Sequence, residues 1–445
     1  MMLEAKKGQI SPLQSGNIVK CIITGNTGKS IDITAGVVDV SYYESILSNT
    51  VTATLTIVDT GAVKPGSNKQ IESPGGILDL LPVRGGERVD LEIEDAAPES
   101  DSGSSTIKVE LYVNRVRNAS PDSLKNIYFL DLCSAESLSN ELSRVVKRYQ
   151  GKISTNVSSI VKDVLKSKKT VNIDPTALDY NFYGNSRKPF YVCTWLASKA
   201  VPDVSIGNAA GYLFYQDRDS FNFRSVDKLL EQSASKRMIY TGTVGLKDGY
   251  DAPIYDYDIE RDIDLHQNLS LGTYRNRSTY YDPFSFNYNV IDYGSNQQKG
   301  KVKTAGRFYS ADLVNKNFTA GPSRLMTSVM DIGYNPPGDT PEEQLKYVKD
   351  NPGQSNFDAN RSTVQSIMRY NQLFTIITNI TIPGMFEIRA GQMIYCAFPE
   401  QKAGGTDEIN KKTEGKYLVA HVCHKLTADN TVTSLGLVRD SYGKE

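Results

Sequence analysis

The sequence has few of the residues that catalysis and metal binding use most often. Its 445 residues include three histidines, five cysteines and a single tryptophan, Trp195. It contains no Gly-x-Ser-x-Gly nucleophile motif and no His-Glu-x-x-His zinc motif, and no carboxylate pair stands out for acid–base chemistry. We therefore predict a protein that is not an enzyme, while a glycosidase stays open because its two carboxylates can be remote in sequence.

The sequence also lacks a disulfide framework, a membrane span and a strong net charge. The cysteines (Cys21, Cys133, Cys193, Cys396 and Cys423) are odd in number, scattered and without a Cys-x-x-Cys pair, which indicates a reducing cytoplasm. The polar start Met1–Lys7 lacks the apolar core of a secretion signal, and no apolar run has the length of a membrane span. A formal charge of −1 gives no whole-chain attraction to nucleic acid or an anionic membrane.

The first third of the chain has the period-two alternation of β-strands. Apolar residues alternate with polar ones between Ile31 and Ile57, then from Val89 to Ile93, from Ile107 to Val113 and around Leu130. A Ser/Pro/Gly turn at residues 73–76 and an acidic, mobile loop at Ala97–Ser105 are predicted between strands. This region is predicted to be an antiparallel β unit.

Helical periodicity follows Cys133. One helix is predicted through Leu138, Leu142, Val145 and Tyr149, a second through residues 157–165, and a third from Pro189 to the stop at Pro202. A hairpin is predicted over residues 212–223. These elements predict an α/β insertion after the first β region.

Strand-like sequence returns at residues 255–293 and again from Phe374 to the C-terminus. Between them, residues 299–360 are less regular and hold a capping box, Thr340-Pro-Glu-Glu343, that opens a short helix. A further helix is predicted with Val364, Ile367 and Met368 on one face.

The two β-rich ends share an internal echo. Residues 83–93 match residues 388–398 in their order of apolar, Arg, small, Gly and Glu/Gln positions, an offset of 388 − 83 = 305. The same offset places Tyr112 on Tyr417, Leu130 on Leu435 and Leu132 on Leu437. A constant offset over three strands and two loops favours duplication over coincidence, with a glycine turn entering a strand in each copy.

Three groups of residues are candidates for binding, and each has a plainer explanation. His421, Cys423 and His424, with Cys396 on a neighbouring strand, suggest a metal site, but isolated His and Cys on a sheet are usually packing residues. The alternating acids Asp256, Asp258, Asp262 and Asp264 suggest calcium or a solvated strand face, and the solvated face is favoured. The aromatic and basic residues Tyr274, Arg275, Arg277, Tyr280 and Tyr281 fit a single-strand or carbohydrate binder, or a protein interface, which is favoured.

A phosphate-binding loop is rejected at Gly28-Lys-Ser30. The position of its first glycine is Ile23, and a hairpin turn at residues 25–28 explains the glycines. No catalytic, cofactor or metal residue is assigned.

Three stretches carry a resemblance to a known family: residues 38–47 with the strand at 51–59, residues 189–226, and residues 386–440. The chain resembles the central baseplate hub protein of contractile-tailed bacteriophages, a family that includes tube-like hub proteins of related injection machines. Residues 299–360 depart most from that pattern.

The resemblance implies an α+β, mainly β chain with two tube-like antiparallel β-barrel domains. The implied domains are residues 1–132 (first barrel), 133–250 (inserted α/β module), 251–298 (strands beginning the second barrel), 299–360 (irregular insertion) and 361–445 (remainder of the second barrel).

The implied assembly is a homotrimer with pseudo-sixfold symmetry in the virion tail baseplate, assembled in the host cytoplasm. It would adapt the tail tube to the central spike, contact wedge proteins, and pass DNA through its lumen without sequence-specific binding. The resemblance implies no membrane partner and no cofactor. Any lysozyme activity belongs to the spike in that family, so no catalytic residue carries over. The alternative from another class is a carbohydrate-binding or carbohydrate-cleaving tail protein that uses residues 255–293.

Overall fold

The fold is taken from a computed structural model, which describes residues 16–59, 76, 80–95, 105–121, 126–177, 179–203, 209–241, 246–261, 263–282, 286–298, 300–329, 340–350, 360–400 and 409–444. The predicted loop at 97–105 and the turn at 73–76 lie almost entirely outside these ranges. No helix in the described ranges is long and apolar enough to cross a membrane.

The N-terminal β unit has seven strands: β1 (Asn17–Thr24), β2 (Ser30–Asp32), β3 (Val37–Ser45), β4 (Thr52–Asp59), β5 (Arg88–Glu94), β6 (Thr106–Pro121) and β7 (Asn126–Cys133). Alternate residues of these strands are apolar and buried, as period-two sequence dictates, and they form one hydrophobic cluster. The rejected phosphate loop is the β1–β2 hairpin turn, in which the Gly28 amide donates to the Gly25 carbonyl at 2.8 Å.

The inserted module follows as α1 (Ala135–Leu142), β8 (Arg148–Tyr149), α2 (Ile153–Ser159), a π-helical turn (Ile160–Val164), β9 (Thr170–Ile173), β10 (Phe182–Tyr183), α3 (Pro189–Lys199), β11 (Tyr212–Gln216), β12 (Ser220–Ser225) and α4 (Val226–Glu231). Its apolar side chains form a core of their own. The predicted helix at Pro189 and the predicted β11–β12 hairpin are confirmed.

The first predicted helix of the module is wrong beyond its second turn. Helix α1 ends at Leu142, whose side chain is 87% exposed, while Val145 bridges Arg187 and Tyr149 lies in β8. Val145 and Tyr149 are buried in the module core from an extended backbone. Tertiary burial therefore overrides the helical spacing of the four residues.

The remaining elements are β13 (Arg237–Tyr240), β14 (Ala252–Ile254), β15 (Asp256–Arg261), α5 (Leu265–Ser270), β16 (Arg275–Asp282), β17 (Asn287–Gly294), α6 (Ser295–Gln298), β18 (Phe308–Tyr309), α7 (Lys316–Thr319), β19 (Arg324–Val329), α8 (Pro341–Asp350), α9 (Ser366–Leu373), β20 (Ile376–Pro383), β21 (Met393–Ala397), β22 (Gly415–Thr427), β23 (Thr431–Arg439) and β24 (Ser441–Tyr442). Single 3₁₀ turns occupy Thr34–Gly36 and Ser310–Leu313, and a π-helical turn occupies Asn360–Gln365. The predicted capping box is confirmed, since the Glu343 amide donates to Thr340 Oγ1 and the Thr340 amide to Glu343 Oε2, both at 3.3 Å.

Fourteen strands form one large sheet, so the chain is mainly β, as predicted. Its order includes β3-β4-β7-β6-β5-β1-β2 in the N-terminal unit and β15-β20-β23-β22-β21-β13-β14 in the C-terminal unit. Neither predicted barrel is closed among the described residues, because β2 and β14 each end a row of strands. The N-terminal sheet instead bends around its core, since Ile31 of β2 and Val40 of β3 lie in the same cluster.

The predicted echo is confirmed in the strand pairing. The antiparallel run β4-β7-β6-β5 has the same order as β20-β23-β22-β21, and each run has an added antiparallel strand, β3 or β15, beyond β4 or β20. The long strand carries a bulge at the same place in both, between Val113 and Arg115 and between Val419 and His421.

One detail of the predicted alignment is wrong. Arg88 pairs with Tyr112 whereas its counterpart Met393 pairs with Leu418, so the shift for the long strand is 418 − 112 = 306. Tyr112 therefore corresponds to Leu418 and not to Tyr417. The 305 shift holds for the flanking strands, where Leu130 and Leu435 are both core residues at 1% exposure.

The turn entering the second strand of each run is the same down to its hydrogen bonds. Gly86 and Gly391 have φ values of 85° and 84°, which favour glycine. The Gly86 amide donates to the Val113 carbonyl and the Gly391 amide to the Val419 carbonyl, both at 2.8 Å. In each turn the Glu87 or Gln392 side chain accepts from the amide three residues earlier, at 2.8 Å and 3.2 Å.

Candidate functional site

The two β units are joined edge to edge by pairing of β3 with the second half of β22, and we call this pairing the seam. It is antiparallel over seven residue pairs, from His421 opposite Ser45 to Thr427 opposite Asp39. Ladder hydrogen bonds continue past it, since the Ile46 amide donates to the Ala420 carbonyl at 2.9 Å. No pattern in the sequence predicts the seam.

One face of the joined sheet packs on the two cores and the other faces solvent. Over the solvent face lies a cavity of about 710 Å³, whose lining includes Tyr43, Asn379, His421, Cys423 and Ser434. Because side chains alternate between faces, these residues belong to the polar set of their strands. We call this surface the seam face.

Behind the seam lies a buried polar junction built from three parts of the chain. Glu44 of β3 is 2% exposed and accepts hydrogen bonds from Tyr42 Oη at 3.0 Å, the Arg218 amide at 3.1 Å and the Ala390 amide at 3.2 Å. Burial and the neighbouring Asp217 raise the pKa of Glu44, while Arg218 opposes this. The junction ties the β11–β12 turn and the glycine turn before β21 to the seam.

His424 lies on the core side of the same seam. Its Nδ1 is 2.9 Å from Thr433 Oγ1 and its Nε2 is 3.0 Å from the Ile388 carbonyl oxygen, so Nε2–H donates and Nδ1 accepts. Burial, with the positive charge of Arg218, lowers the pKa of His424 to about 3. A neutral ring with both nitrogens bonded explains why this buried site takes histidine.

The structure separates the residues considered as metal ligands. His421 and Cys423 lie on the seam face, whereas His424 is on the opposite face with both nitrogens bonded to the protein. Cys396 is fully buried in the C-terminal core. In the described ranges no group of three His, Cys, Asp or Glu side chains is placed to hold a metal.

The alternating acids serve two purposes. Asp256 and Asp258 are exposed on β15 beside Thr381 and Asn379. Asp264 caps α5 by accepting from the Gln267 amide at 2.9 Å. The side chain of Asp262 lies outside the described residues.

The aromatic and basic stretch is largely occupied within the protein. Tyr274 and Tyr280 are 3% and 2% exposed. Arg275 and Arg277 both bind the Asp292 carboxylate of the neighbouring strand, at 2.7 Å and 2.9 Å. These contacts leave few of the predicted side chains available to stack on a ligand.

A second buried polar cluster gave no signal in the sequence. Arg369 of α9 is fully buried and binds Asp440 at 2.6 Å and Asp227 of α4 at 3.1 Å. Removing one partner of such a group leaves a buried charge uncompensated, at a cost of about 3–5 kcal/mol. Arg369 therefore ties the module to the end of β23.

The fold and seam define a class: mainly β, α+β proteins in which two similar β units are joined through one continuous sheet. No protein-family model and no curated protein matches the sequence.

Solved structures add a particular likeness. The prophage MuSo2 43 kDa tail protein from Shewanella oneidensis superposes with a TM-score of 0.51 at 12% identity, over 95% of this chain and 99% of that one. The tail protein from Neisseria meningitidis MC58 gives 0.49 at 11% identity, over 95% and 96%, and prophage tail protein gp18 from Listeria monocytogenes gives 0.44 at 8%, over 94% of each. The chain thus has the fold of the Shewanella prophage tail protein.

Proposed function

We propose that this chain is the structural hub of a contractile phage tail baseplate. Three copies form a ring with pseudo-sixfold symmetry that adapts the tail tube to the central spike and encloses part of the DNA ejection channel. The observation that carries the proposal is the pair of β units with one strand order, joined within the chain by the seam.

Symmetry supports the number of copies. Two similar units in each of three chains give six similar positions around one axis, so a threefold assembly can present a sixfold platform. The shared fold with a prophage tail protein supports a place in the virion tail. A spike protein, a tube protein or tube initiator, and wedge proteins are the partners that such a platform requires.

The seam face is the surface we assign to the channel. Its side chains are mostly neutral and polar, with Asn379, Ser434 and Cys423 among those that line the cavity. Cations of the solvent face are offset by carboxylates, since Lys425 is 3.6 Å from Asp39 and Arg117 is 2.7 Å from Asp131. A wall whose cations are paired holds the phosphate backbone weakly, because phosphate neutralisation by Lys and Arg supplies most non-specific affinity for DNA. DNA can then pass without being retained.

The division into two tube-like barrel domains, an inserted module and an irregular insertion belongs to the same proposal, with the boundaries given from the sequence. The closed barrel wall forms only in the ring, since each chain alone leaves strand edges open.

The subunit is non-enzymatic. No contact of the aromatic and basic stretch favours the carbohydrate-binding alternative, because Tyr280 is buried and Arg277 is paired with Asp292.

Light scattering coupled to gel filtration of the full chain tests the proposal. We expect three chain masses, and projection images down the axis should show a ring with an open channel. The spike protein of the same phage should co-elute with the ring. A stable monomer at all concentrations that also ignores its spike would overturn the proposed function.

A further inference from the structure

Besides the ends of the row at β2 and β14, two further strand edges of the large sheet are open among the described residues. The strand β15 pairs with β20 on one side only. Residues 115–121 of β6 pair with β7 on one side only, since β5 reaches no further than Tyr112. Open edges of this length are templates for pairing with another chain.

These two edges are the counterparts of the two strands that make the seam. The shift of 306 that relates β6 to β22 carries residues 115–118 onto 421–424, and beyond a second bulge of β6 residues 120 and 121 correspond to 425 and 426. All of these positions of β22 pair with β3. The strand β15 corresponds to β3, because each is the antiparallel neighbour of the fourth strand of its run, β20 or β4. Each chain thus contains one complete seam, together with two open strand edges that correspond to the two strands of that seam and are not paired with each other.

We propose that β15 of one copy pairs antiparallel with residues 115–121 of β6 in a second copy, so that the seam is repeated between chains. This inference deepens the proposed ring and rests on it. It names the edges and the register through which the copies meet.

The register follows from the seam inside the chain. Lys425 is opposite Ser41. Ala119 is the extra residue of a second bulge in β6, between Asn118 and Ser120, that β22 lacks. Ser120 pairs with Ile127 and Lys425 pairs with Val432, so the shift returns to 425 − 120 = 305 and the counterpart of Lys425 is Ser120.

Ser41 pairs with Thr54, and Asp258 pairs with Asn379. Thr54 and Asn379 are counterparts, because the shift 379 − 54 = 325 also carries Leu55 to Ile380, the residues that pair with Leu130 and Leu435. Asp258 is therefore the counterpart of Ser41. Ser120 of one copy is therefore opposite Asp258 of the next.

Charge favours this pairing over pairing of like edges. Asp256, Asp258 and Glu260 are exposed on β15, whereas Arg115 and Arg117 are exposed on β6. Two β15 edges would bring their exposed acids together and repel each other. Paired with β6, Asp258 is instead the diagonal neighbour of Arg117, whose directly opposite residue in this register is Arg261 and which also binds Asp131 of its own chain at 2.7 Å. The seam within the chain has the same kind of contact, with Lys425 Nζ 3.6 Å from the Asp39 carboxylate.

The contact is between two different surfaces, so it propagates from copy to copy until the ring closes. A ring of three chains then has six seams, three within chains and three between them. Closure also hides every open edge of this pair, which protects the protein from unspecific sheet extension.

Paired cysteines test the register in the full-length chain. In a Cys423→Ser background, the double variant Ser120→Cys/Asp258→Cys is oxidised with copper phenanthroline and run on non-reducing gels. Directly opposed residues have Cβ atoms about 5 Å apart, which a disulfide can bridge. We expect bands at two and three chain masses that disappear on reduction.

Two matched variants accompany it. Ser41→Cys/Lys425→Cys occupies the equivalent positions of the seam within the chain and should cross-link without changing the chain mass. Ser120→Cys/Asn379→Cys moves one cysteine to the next strand, about 9–10 Å away, and should not cross-link.

The outcomes separate the two proposals. Cross-links between chains at 120 and 258, and none at 120 and 379, support the inferred edges. A trimer by light scattering in which 120 and 258 do not cross-link, while 41 and 425 do, overturns this inference and leaves the hub proposal standing. A monomer in every preparation overturns both.

Discussion

Single polar residues decide how firmly the two β units are held at the seam. His424 and His421 are three positions apart, and their spacing suggests a shared metal site. The structure places one in the core and the other on the seam face. Strand alternation distinguishes odd from even positions, but only the pairing of β22 with β3 and β23 shows which face is buried.

His424 predicts a specific dependence of stability on pH. Its pKa is lowered to about 3 in the fold, while the unfolded chain has an ordinary value near 6.5. As the pH falls from about 6.5 toward 3, His424 becomes protonated in the unfolded state and stays neutral in the folded state. Stability is therefore lost on acidification, by up to about 1.4 kcal/mol per pH unit.

The variant His424→Gln removes the imidazole whose protonation destabilises the fold in acid, while the Gln amide can still donate to the Ile388 carbonyl. We expect it to be less stable than the wild type at pH 7, with the difference shrinking by on the order of 2 kcal/mol between pH 7 and pH 4.5. Unfolding by urea at several pH values measures this. His266→Gln, at an exposed position of α5, should track the wild type, and a constant gap for His424→Gln would rule out the buried neutral ring.

At the scale of elements, the sequence predicted the features that depend on neighbouring residues alone. Period-two alternation predicted the strands, Pro189 predicted the start of α3, and the capping box predicted α8. The predicted helix through Tyr149 failed because burial of Val145 and Tyr149 depends on the module core, whose partners are remote in sequence. Leu142 shows the limit directly, since its helical spacing predicts burial and its side chain is exposed.

The two glycine turns offer a matched pair of substitutions. Gly86 and Gly391 share a positive φ, so alanine costs about 1 kcal/mol of backbone strain at either. At Gly86 the nearest atom to an added Cβ is 3.8 Å away, whereas at Gly391 the Cβ would overlap the hydroxyl of Tyr215, whose ring is 2% exposed. Overpacking there adds about 1–3 kcal/mol.

We therefore expect Gly391→Ala to lower the melting temperature by several degrees more than Gly86→Ala, measured by scanning fluorimetry or circular dichroism. Gly391→Ser should behave like Gly391→Ala, because any Cβ meets the same ring. Equal shifts for the two alanine variants would show that Tyr215 moves aside freely, contrary to its burial.

At the scale of the whole molecule, the echo was visible in sequence and the seam was not. A constant offset of 305 aligned the flanking strands, and only the one-residue correction in β22 required the pairing itself. The seam joins residues 39–45 to residues 421–427, and no local pattern carries information on contacts across such a separation. Closure of the barrels failed as a prediction for the single chain because the open edges belong, in our proposal, to the assembly.

Charge at those edges gives the last prediction. In the inferred register Asp258 of β15 lies near Arg117 of the next copy, so Asp258→Arg places two cations side by side. We expect the concentration at which the assembly dissociates to rise roughly three- to tenfold at low salt, as for exposed charge pairs. Sedimentation velocity over a dilution series measures it, and the difference should shrink at 0.5 M salt, where the screening length is only about 4 Å.

Glu342→Arg, which makes the same change of charge on the exposed first turn of α8, separates the edge from net charge. If both variants weaken assembly equally, the effect is a general one and the edge is not the contact. If Asp258→Arg alone weakens it, the charge lies at the interface. Because the substitution is on an exposed side chain at the rim of the sheet, it leaves the fold of each subunit intact, and the monomer released on dilution should keep the circular dichroism spectrum of the wild type.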